Sequence, residues 1–357
     1  MDTHLINISV FAELMGIEAK TLHRWYIDFL SDFNPQGQQQ LHMYDIPLGG
    51  SSQDNILEVP IVCPKNIGTD MCIDEKMIGE QFYTILSNRQ TGKIAFCAAS
   101  TKFNHLVRAM SPILNSFEKI KNITRDLSAS YAKLCTELMP FAKQIADKFH
   151  IIRNIIEAQQ AVRIRYRQKV LEQRRQAFQE FKSQQKQRRE LCERTGEKFN
   201  AAKFNYKEPR LSNGETPAEL LSRSHYLLYK FPHQWTISQL KRAKTLFEYY
   251  PEIEKAYHLS CSFRQWYARG NIGKHRLQIE RELFQWYEDI QDADIDEMSN
   301  FKSLVESNED IIIEYFTNGQ TNAKAENLNG QLNKFIQANQ GVRNRDFFFF
   351  RVSNFFT

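Results

Sequence analysis

Apolar and polar positions change their period several times along this chain. From Ile8 to Tyr26 apolar residues recur at helical spacing around one glycine. Small Ala12 permits close packing of two helices, Gly16 supplies the turn, and Ile17 with Leu22 fills a shared core. This spacing predicts a helix-turn-helix over residues 1–34 that leaves Lys20, Thr21, His23 and Arg24 able to face DNA. Residues 35–66 carry Pro35, Gln38-Gln39-Gln40 and Gly49-Gly50-Ser51-Ser52, the composition of a linker. Beyond it, Thr69 to Met77, Gln81 to Asn88 and Lys93 to Ala99 are rich in apolar and aromatic residues, with short gaps at Gly79 and Gly92. They predict a three-stranded antiparallel meander. Thr101 to Phe117 reads as a helix, and Ile120 to Asp126 and Gln144 to Asp147 as two further strands separated by a helix.

The helical period then takes over. No Gly or Pro interrupts Phe141 to Thr195, and Gln, Arg, Lys and Glu dominate from Gln159 onward, which predicts one or two very long helices. After a break from Gly196 to Thr216, Pro217 to Phe316 is helical again, with Trp235, Trp266 and Trp286 spread through it. In Asn322 to Lys334, Asn322, Glu326, Asn329 and Asn333 share a narrow polar stripe, with Ala325, Leu328, Leu332 and Ile336 forming an apolar stripe beside it. One edge of that helix can dock on a sheet while the other lines a site. In the tail, Phe348, Phe349, Val352 and Phe356 share one face and predict a closing core helix.

A chain of 357 residues exceeds one usual core, so two or three domains are expected. The formal charge is only +5, a weak argument for nucleic acid, but its distribution is uneven. From Ala161 to Arg210 there are 15 basic and 6 acidic residues, a local net of +9. Arg163, Arg167, Arg174 and Arg175 are the candidates for phosphate contact there, against the commoner reading of a solvated helix face. Cys63, Cys72, Cys97, Cys135, Cys192 and Cys261 form no CxxC pair, which argues against a structural zinc site and a disulfide framework. The first residues lack the pattern of a signal peptide and no run approaches about 18 apolar residues, so a cytoplasmic, soluble protein is expected.

Three carboxylates stand in the contexts that a two-metal nuclease needs. Asp74 lies in the strand-like Met71-Cys72-Ile73-Asp74-Glu75, Asp126 ends Ile123-Thr124-Arg125-Asp126, and Glu326 sits on the striped helix. Taken singly, Asp126 reads as a helix cap and Glu326 as a solvated residue; their order and element types favour a joint role. The runs Ile123-Thr124-Arg125-Asp126-Leu127-Ser128 and Ile145-Ala146-Asp147-Lys148-Phe149-His150-Ile151-Ile152, then Asn322 to Lys334 followed by Gly341-Val342-Arg343-Asn344, resemble the DDE transposases of bacterial insertion sequences. Among them the ISL-three branch is most similar, from about Thr69 to the end of the chain.

That resemblance implies an α/β fold: an RNase H-like mixed sheet of three antiparallel strands and two alternating with helices, interrupted by an all-helical insertion. The core would occupy 67–165 and 316–357, and the insertion 166–315. It implies Mg²⁺ (or Mn²⁺), two ions per site, with Asp74 bridging both, Asp126 holding one and Glu326 the other. The activity implied is cleavage of transposon ends and transfer of a 3′-hydroxyl into target DNA. Asp70 and Glu75 compete with Asp74 for the first position; Ile73-Asp74-Glu75 matches the family run, which favours Asp74 and makes Glu75 a neighbour of the site. Related transposases place a Cys or Asp three positions before a His, as Asp147 and His150 stand here. His150 would orient a phosphate or tune a metal ligand, with Asp147, Asn322 and Asn329 as further supporting residues; the plainer reading is a capping Asp and a buried His. The branch often begins with a Cys-rich zinc segment that this chain lacks; either the segment was lost or a separate accessory polypeptide supplies it. DNA ends and target duplex, a homodimer or higher oligomer on DNA, no membrane and association with the nucleoid complete the expectation. The alternative is a non-catalytic helical DNA-binding protein or regulator derived from a transposase.

Overall fold

A computed structural model of the chain describes residues 7–33, 44–47, 56–318, 323–338 and 344–357, with side chains over the same spans except 44–47, 56, 269, 318 and 323–327. In chain order the first elements are α1 (Ile8–Leu14), α2 (Ala19–Trp25), β1 (Tyr44–Pro47), β2 (Ile56–Val59), β3 (Ile61–Val62), β4 (Asp70–Ile78), β5 (Gln81–Asn88) and β6 (Ile94–Ala98). Next come α3 (Phe103–Met110), β7 (Asn122–Arg125), α4 (Ala129–Leu138), β8 (Lys143–Ala146) and α5 (Lys148–Thr195). The remainder is helical: α6 (Pro217–Arg223), α7 (Ile237–Tyr249), α8 (Pro251–Trp266), α9 (Arg276–Ala293), α10 (Asp296–Glu306), α11 (Glu309–Asn318), α12 (Ala323–Ala338) and α13 (Arg345–Phe356). Two compact units result: Met1–Ile151 with Asp310–Thr357, and Ile152–Glu309.

The first unit is built on a six-stranded mixed sheet in the order β3-β6-β5-β4-β7-β8. Strands β4, β5 and β6 form the antiparallel meander, while β7 and β8 add in parallel beside β4. Five of the six match the runs read from the sequence. The sixth, β3, pairs with β6 from within residues 35–66, so that stretch is not simply a linker. Its described part also pairs β1 with β2, and the Gln-rich and Gly-Ser runs that give it linker composition lie outside the described residues. The helix expected over Thr101 to Phe117 is shorter: α3 gives way to a 3₁₀ stretch, Ser111–Lys119, with Pro112 at its start. Proline has no N–H for the helical ladder and clashes with the preceding turn, so an α-helix does not run through it unbroken.

Alternation along the strands gives the sheet two apolar faces. Met71, Ile73, Leu86, Phe96 and Ala98 pack with Leu106, Met110, Tyr131 and Leu134 of α3 and α4. On the other face Ile61, Ile78, Tyr83, Ile85 and Cys97 meet Leu328, Leu332 and Phe335 of α12 and Phe348, Phe349, Val352 and Phe356 of α13. The tail is therefore the core helix its spacing predicts. Phe347, one position off that face, turns to Ala12, Leu22, Tyr26 and Phe33 and anchors the two amino-terminal helices. Between those helices Gly16 takes φ +65°, a left-handed conformation that an L side chain adopts only with strain.

The second unit consists of helices among its described elements. Its helix starts are capped: Thr216 and Glu219 form a reciprocal box at α6, as do Thr236 and Gln239 at α7. The three tryptophans bury their rings in or against the core and satisfy their indole N–H groups, Trp235 on the Leu227 carbonyl, Trp266 on Ile279 and Trp286 on Leu259. Helix α5 runs unbroken for 48 residues because nothing in it disrupts the ladder. Its Arg165 pairs with Glu252 of α8 and with Glu297 of α10, the latter at 2.7 Å, tying three helices together.

Candidate active site

The parallel pairing of β4 with β7 runs Asp70↔Asn122, Met71↔Ile123 and Cys72↔Thr124. Continued two residues further at the same offset, it sets Asp74 level with Asp126. Pairing of β7 with β8, Asn122↔Lys143 through Arg125↔Ala146, likewise sets Asp126 level with Asp147. Three acids thus stand in a row across three adjacent parallel strands, Asp74 in the middle of β4 and Asp126 and Asp147 just past the carboxyl ends of β7 and β8. Asp74 shares a face with its partner Ile85, the face covered by α12 and α13.

Each acid is held differently. The Asn329 amide of α12 donates to Asp74 Oδ2 at 2.6 Å, and the Glu75 main-chain N–H donates to Oδ1 at 2.8 Å. His150, in the first turn of α5, brings Nε2 to 3.5 Å from the same Oδ1. Burial pushes the Asp74 pKa up, but the contacts from His150 and Asn329 outweigh it and the net displacement is downward. Asp126 accepts from the Ser128 N–H at 2.9 Å, a turn just ahead of α4, whose N-cap is Ser128. Here burial dominates, aided by the neighbouring Asp74 charge, and the Asp126 pKa is raised. His150 is raised first by its bond to Asp74, against burial, with the charges of Asp147, Asp74 and Asp126 adding to the effect.

Asp147 is buried and its Oδ1 accepts from the Phe149 N–H at 2.8 Å, so it caps α5, in line with the plainer reading. His150 is not merely buried; it retains 25% side-chain exposure and faces an acid. Glu75, expected beside the site, is turned by strand alternation so that its side chain lies on the opposite face of the sheet, with Thr84. Only its main chain reaches Asp74. Asp70, the competitor for the first position, is buried and accepts from Asn122, Thr69 and Gln90 at 2.7, 2.6 and 2.9 Å. Glu326 lies on α12 one turn before Asn329, and its side chain, like all of Asn322 and Gly341 to Arg343, is outside the described residues. Among the described residues no three His, Cys, Asp or Glu side chains converge closely enough to hold a metal ion.

One contributor escapes the sequence reading. Arg125 is buried, its Nε donating to Gln144 at 2.7 Å and its Nη1 to the Asp126 carbonyl at 2.7 Å, so it fixes the backbone that carries Asp126. An arginine in an apolar strand gives only a faint signal of such a role.

The candidate DNA contacts divide. Lys20, His23 and Arg24 are exposed on α2, and Thr21, half-buried, bonds Glu18 at 3.2 Å. Arg167, Arg174 and Arg175 are exposed on α5. Arg163 is a correction: it is 6% exposed, and its guanidinium donates to Gln160 at 2.6 Å and to the Leu221 carbonyl at 2.8 Å. That group serves the fold of the second unit and is not available to phosphate.

A family model described as a transposase, of the DDE type and the ISL-three branch, matches residues 71–352. The chain belongs to that family. The matched span takes in both Asp74 and Asp126, His150, the long helix and Asn329. No curated protein and no solved structure matches the chain. DNA is the partner that a transposase implies, and among the described residues no helix is long and apolar enough to cross a membrane.

Proposed function

We propose that this transposase cuts the ends of its element and joins the resulting 3′-hydroxyl to target DNA through a site formed by Asp74, Asp126 and Glu326. The observation that carries the reading is the parallel register of β4 and β7, which continued just past the end of β7 sets Asp126 level with Asp74, together with the bond from Asn329 of α12 to Asp74. Glu326 precedes Asn329 by three residues, the spacing of neighbours on one helix face. Strand order supports an RNase H-like core, since three antiparallel strands precede two parallel ones and α12 returns to the sheet after the helical unit.

The donor chemistry fits Mg²⁺ or Mn²⁺. Carboxylates are hard oxygen ligands, and Asp126 has its charge opposed by burial and by Asp74, an environment that a cation would relieve. Asp74, Asp126 and Glu326 would hold the ions, which when bound would lower the pKa of an attacking water or hydroxyl and stabilise the leaving oxygen. Asn329 and His150 hold the Asp74 carboxylate in one orientation, and Arg125 does the same for the Asp126 backbone. His150 takes up a proton more readily than an ordinary imidazole, and in that form would present positive charge where a scissile phosphate would approach.

For the amino terminus we propose a helix-turn-helix reader. Two seven-residue helices joined through Gly16 bury Ile8, Ala12 and Leu22 against each other and leave Lys20, His23 and Arg24 outward. The test of the catalytic reading is substitution: Asp74→Asn, Asp126→Asn and Glu326→Gln should each abolish divalent-metal-dependent end cleavage while duplex binding persists. Parental cleavage by any one variant would remove that residue from the site, parental cleavage by all three would place the catalytic site elsewhere, and absence of metal-dependent cleavage by the parent protein would leave a non-catalytic DNA-binding role.

A further inference from the structure

The distal half of α5, from Leu171 to Thr195, contains no buried residue. A mostly polar helix with only scattered apolar residues such as Leu171 and Leu191 survives in water through partners or through many internal ion pairs. Only two such pairs occur among the described side chains here, Arg175 with Glu172 and Arg189 with Glu193. Both are exposed, the kind that adds little stability. Instead the helix is braced by the chain that follows it. Phe204 packs on Phe178 and Phe181, with ring centroids 4.9 and 5.4 Å apart, and the Ala202 N–H donates to Gln185 at 3.2 Å.

Four of the seven basic residues from Leu171 to Thr195 share a face: at about 100° per residue, Arg175, Lys182, Lys186 and Arg189 fall within roughly 60° of one another, while Arg174, Arg188 and Arg194 lie on other faces. Glu172, Glu180 and Glu190 lie about 70° or more from the centre of that stripe by the same geometry. Glu193 alone enters it, at the far end, where it meets Arg189. Lys182 and Lys186 have no acidic partner among the described residues. The bracing segment continues the pattern: Lys203, Asn205 and Lys207 are exposed, alternating with the half-buried Phe204 and Tyr206. A row of four basic side chains with acid only at its far end suits a surface that meets a line of negative charge.

We infer that the stripe Arg175, Lys182, Lys186 and Arg189 is a docking surface for the phosphate backbone of duplex DNA, independent of sequence. From Arg175 to Arg189 the helix rises about 21 Å, close to the length of six base pairs. Arginine and lysine on exposed, unbranched stems can follow such a backbone without a fixed register. This inference rests on the transposase reading only for the choice of DNA as partner, and it moves the basic contact from Arg163, which is internal, to the outer half of the helix.

The test compares two sets of charge removals in the full chain. Arg175→Gln, Lys182→Gln, Lys186→Gln and Arg189→Gln together remove the stripe while keeping helix propensity. Lys241→Gln, Lys244→Gln and Lys255→Gln remove exposed charge elsewhere in the same unit. Affinity for a random duplex is measured by fluorescence anisotropy across salt concentrations, with helix content followed by circular dichroism. The stripe variant should lose on the order of tenfold or more in affinity, and its slope of log affinity against log salt should fall by about 0.9 for each phosphate no longer neutralised. The control set should change little. If the fourfold variant loses helix, Lys182→Gln with Lys186→Gln gives the same reading with about half the slope change. An unchanged slope, an equal loss in the control set, or tighter binding to polyglutamate than to duplex would overturn the inference, the last assigning the stripe to an acidic protein. Loss of cleavage in Asp126→Asn is a separate result, so failure of the catalytic reading and failure of the stripe are told apart.

Discussion

Asn329→Ala is the sharpest probe of the site, because Asn329 touches an acid without being one. Its amide donates to Asp74 Oδ2 at 2.6 Å, on a side chain only 19% exposed. A hydrogen bond to a charged group contributes about 1.5–3 kcal/mol, and partial exposure reduces this to about 1–2 kcal/mol. In a unit of about 200 residues that corresponds to a fall in Tm of roughly 2–8 °C. Loss of a partner that orients a metal ligand typically reduces activity or metal affinity by about 10–100-fold. The assay is end cleavage by the full chain across a Mg²⁺ titration, with Tm measured in parallel. We expect a lower kcat and a higher Mg²⁺ midpoint, while affinity for the DNA ends is kept. Asn329→Gln, which keeps the amide on a longer stem, should recover part of the loss. If Tm falls as stated but kcat and the Mg²⁺ midpoint stay at parental values, the amide serves packing and the assignment of Asp74 as a ligand loses its main support.

Asp126 has a raised pKa, so its ionisation works against folding once pH passes the ordinary carboxylate value of 3.8. Asp126→Asn, which keeps the acceptor for Ser128, should raise Tm at neutral pH, with the gain vanishing at acidic pH; a gain independent of pH would point to packing rather than charge. Arg163→Gln should lower the Tm of the second unit by removing a buried donor to the Leu221 carbonyl, at a cost of about 1–3 kcal/mol, and should leave the salt slope of DNA binding unchanged. A reduced slope with unchanged Tm would return Arg163 to the DNA surface. Replacing Lys20, Thr21, His23 and Arg24 together by Ala should weaken binding to the element's ends more than to random duplex, since base contacts discriminate and phosphate contacts do not; competition binding showing equal losses would remove them as readers.

Strands β4 to β8 are legible in the sequence because runs of apolar residues bounded by turns are a local signal. So are α5, whose lack of Gly and Pro is explicit, and the tail, whose phenylalanines keep helical spacing. Strand β3 is not legible: two residues, Ile61 and Val62, are too few to show a period. The polar stripe of α12 is visible, yet what Asn329 bonds is not, because Asp74 is 255 positions away in the chain. The same distance effect explains Arg163. In sequence it is one basic residue among many, and only the fold brings the Leu221 carbonyl, 58 positions on, against its guanidinium.

The pKa values of Asp74, in the middle of β4, and Asp126, just past β7, are displaced in opposite directions, and the asymmetry has a structural source. Asp74 sits where α5 and α12 both deliver donors, so the chain itself stabilises that anion. Asp126 sits one strand over, where a main-chain N–H donates to its carboxylate and where Arg125, the nearest arginine in sequence, commits its guanidinium to Gln144 and to a carbonyl. The fold could have neutralised Asp126 by letting that arginine reach the carboxylate, which would have gained stability and blocked a cation. It leaves the carboxylate open to one instead. Of the pair, Asp126 has no arginine salt bridge for a divalent ion to break, whereas at Asp74 an ion would have to share the carboxylate with His150.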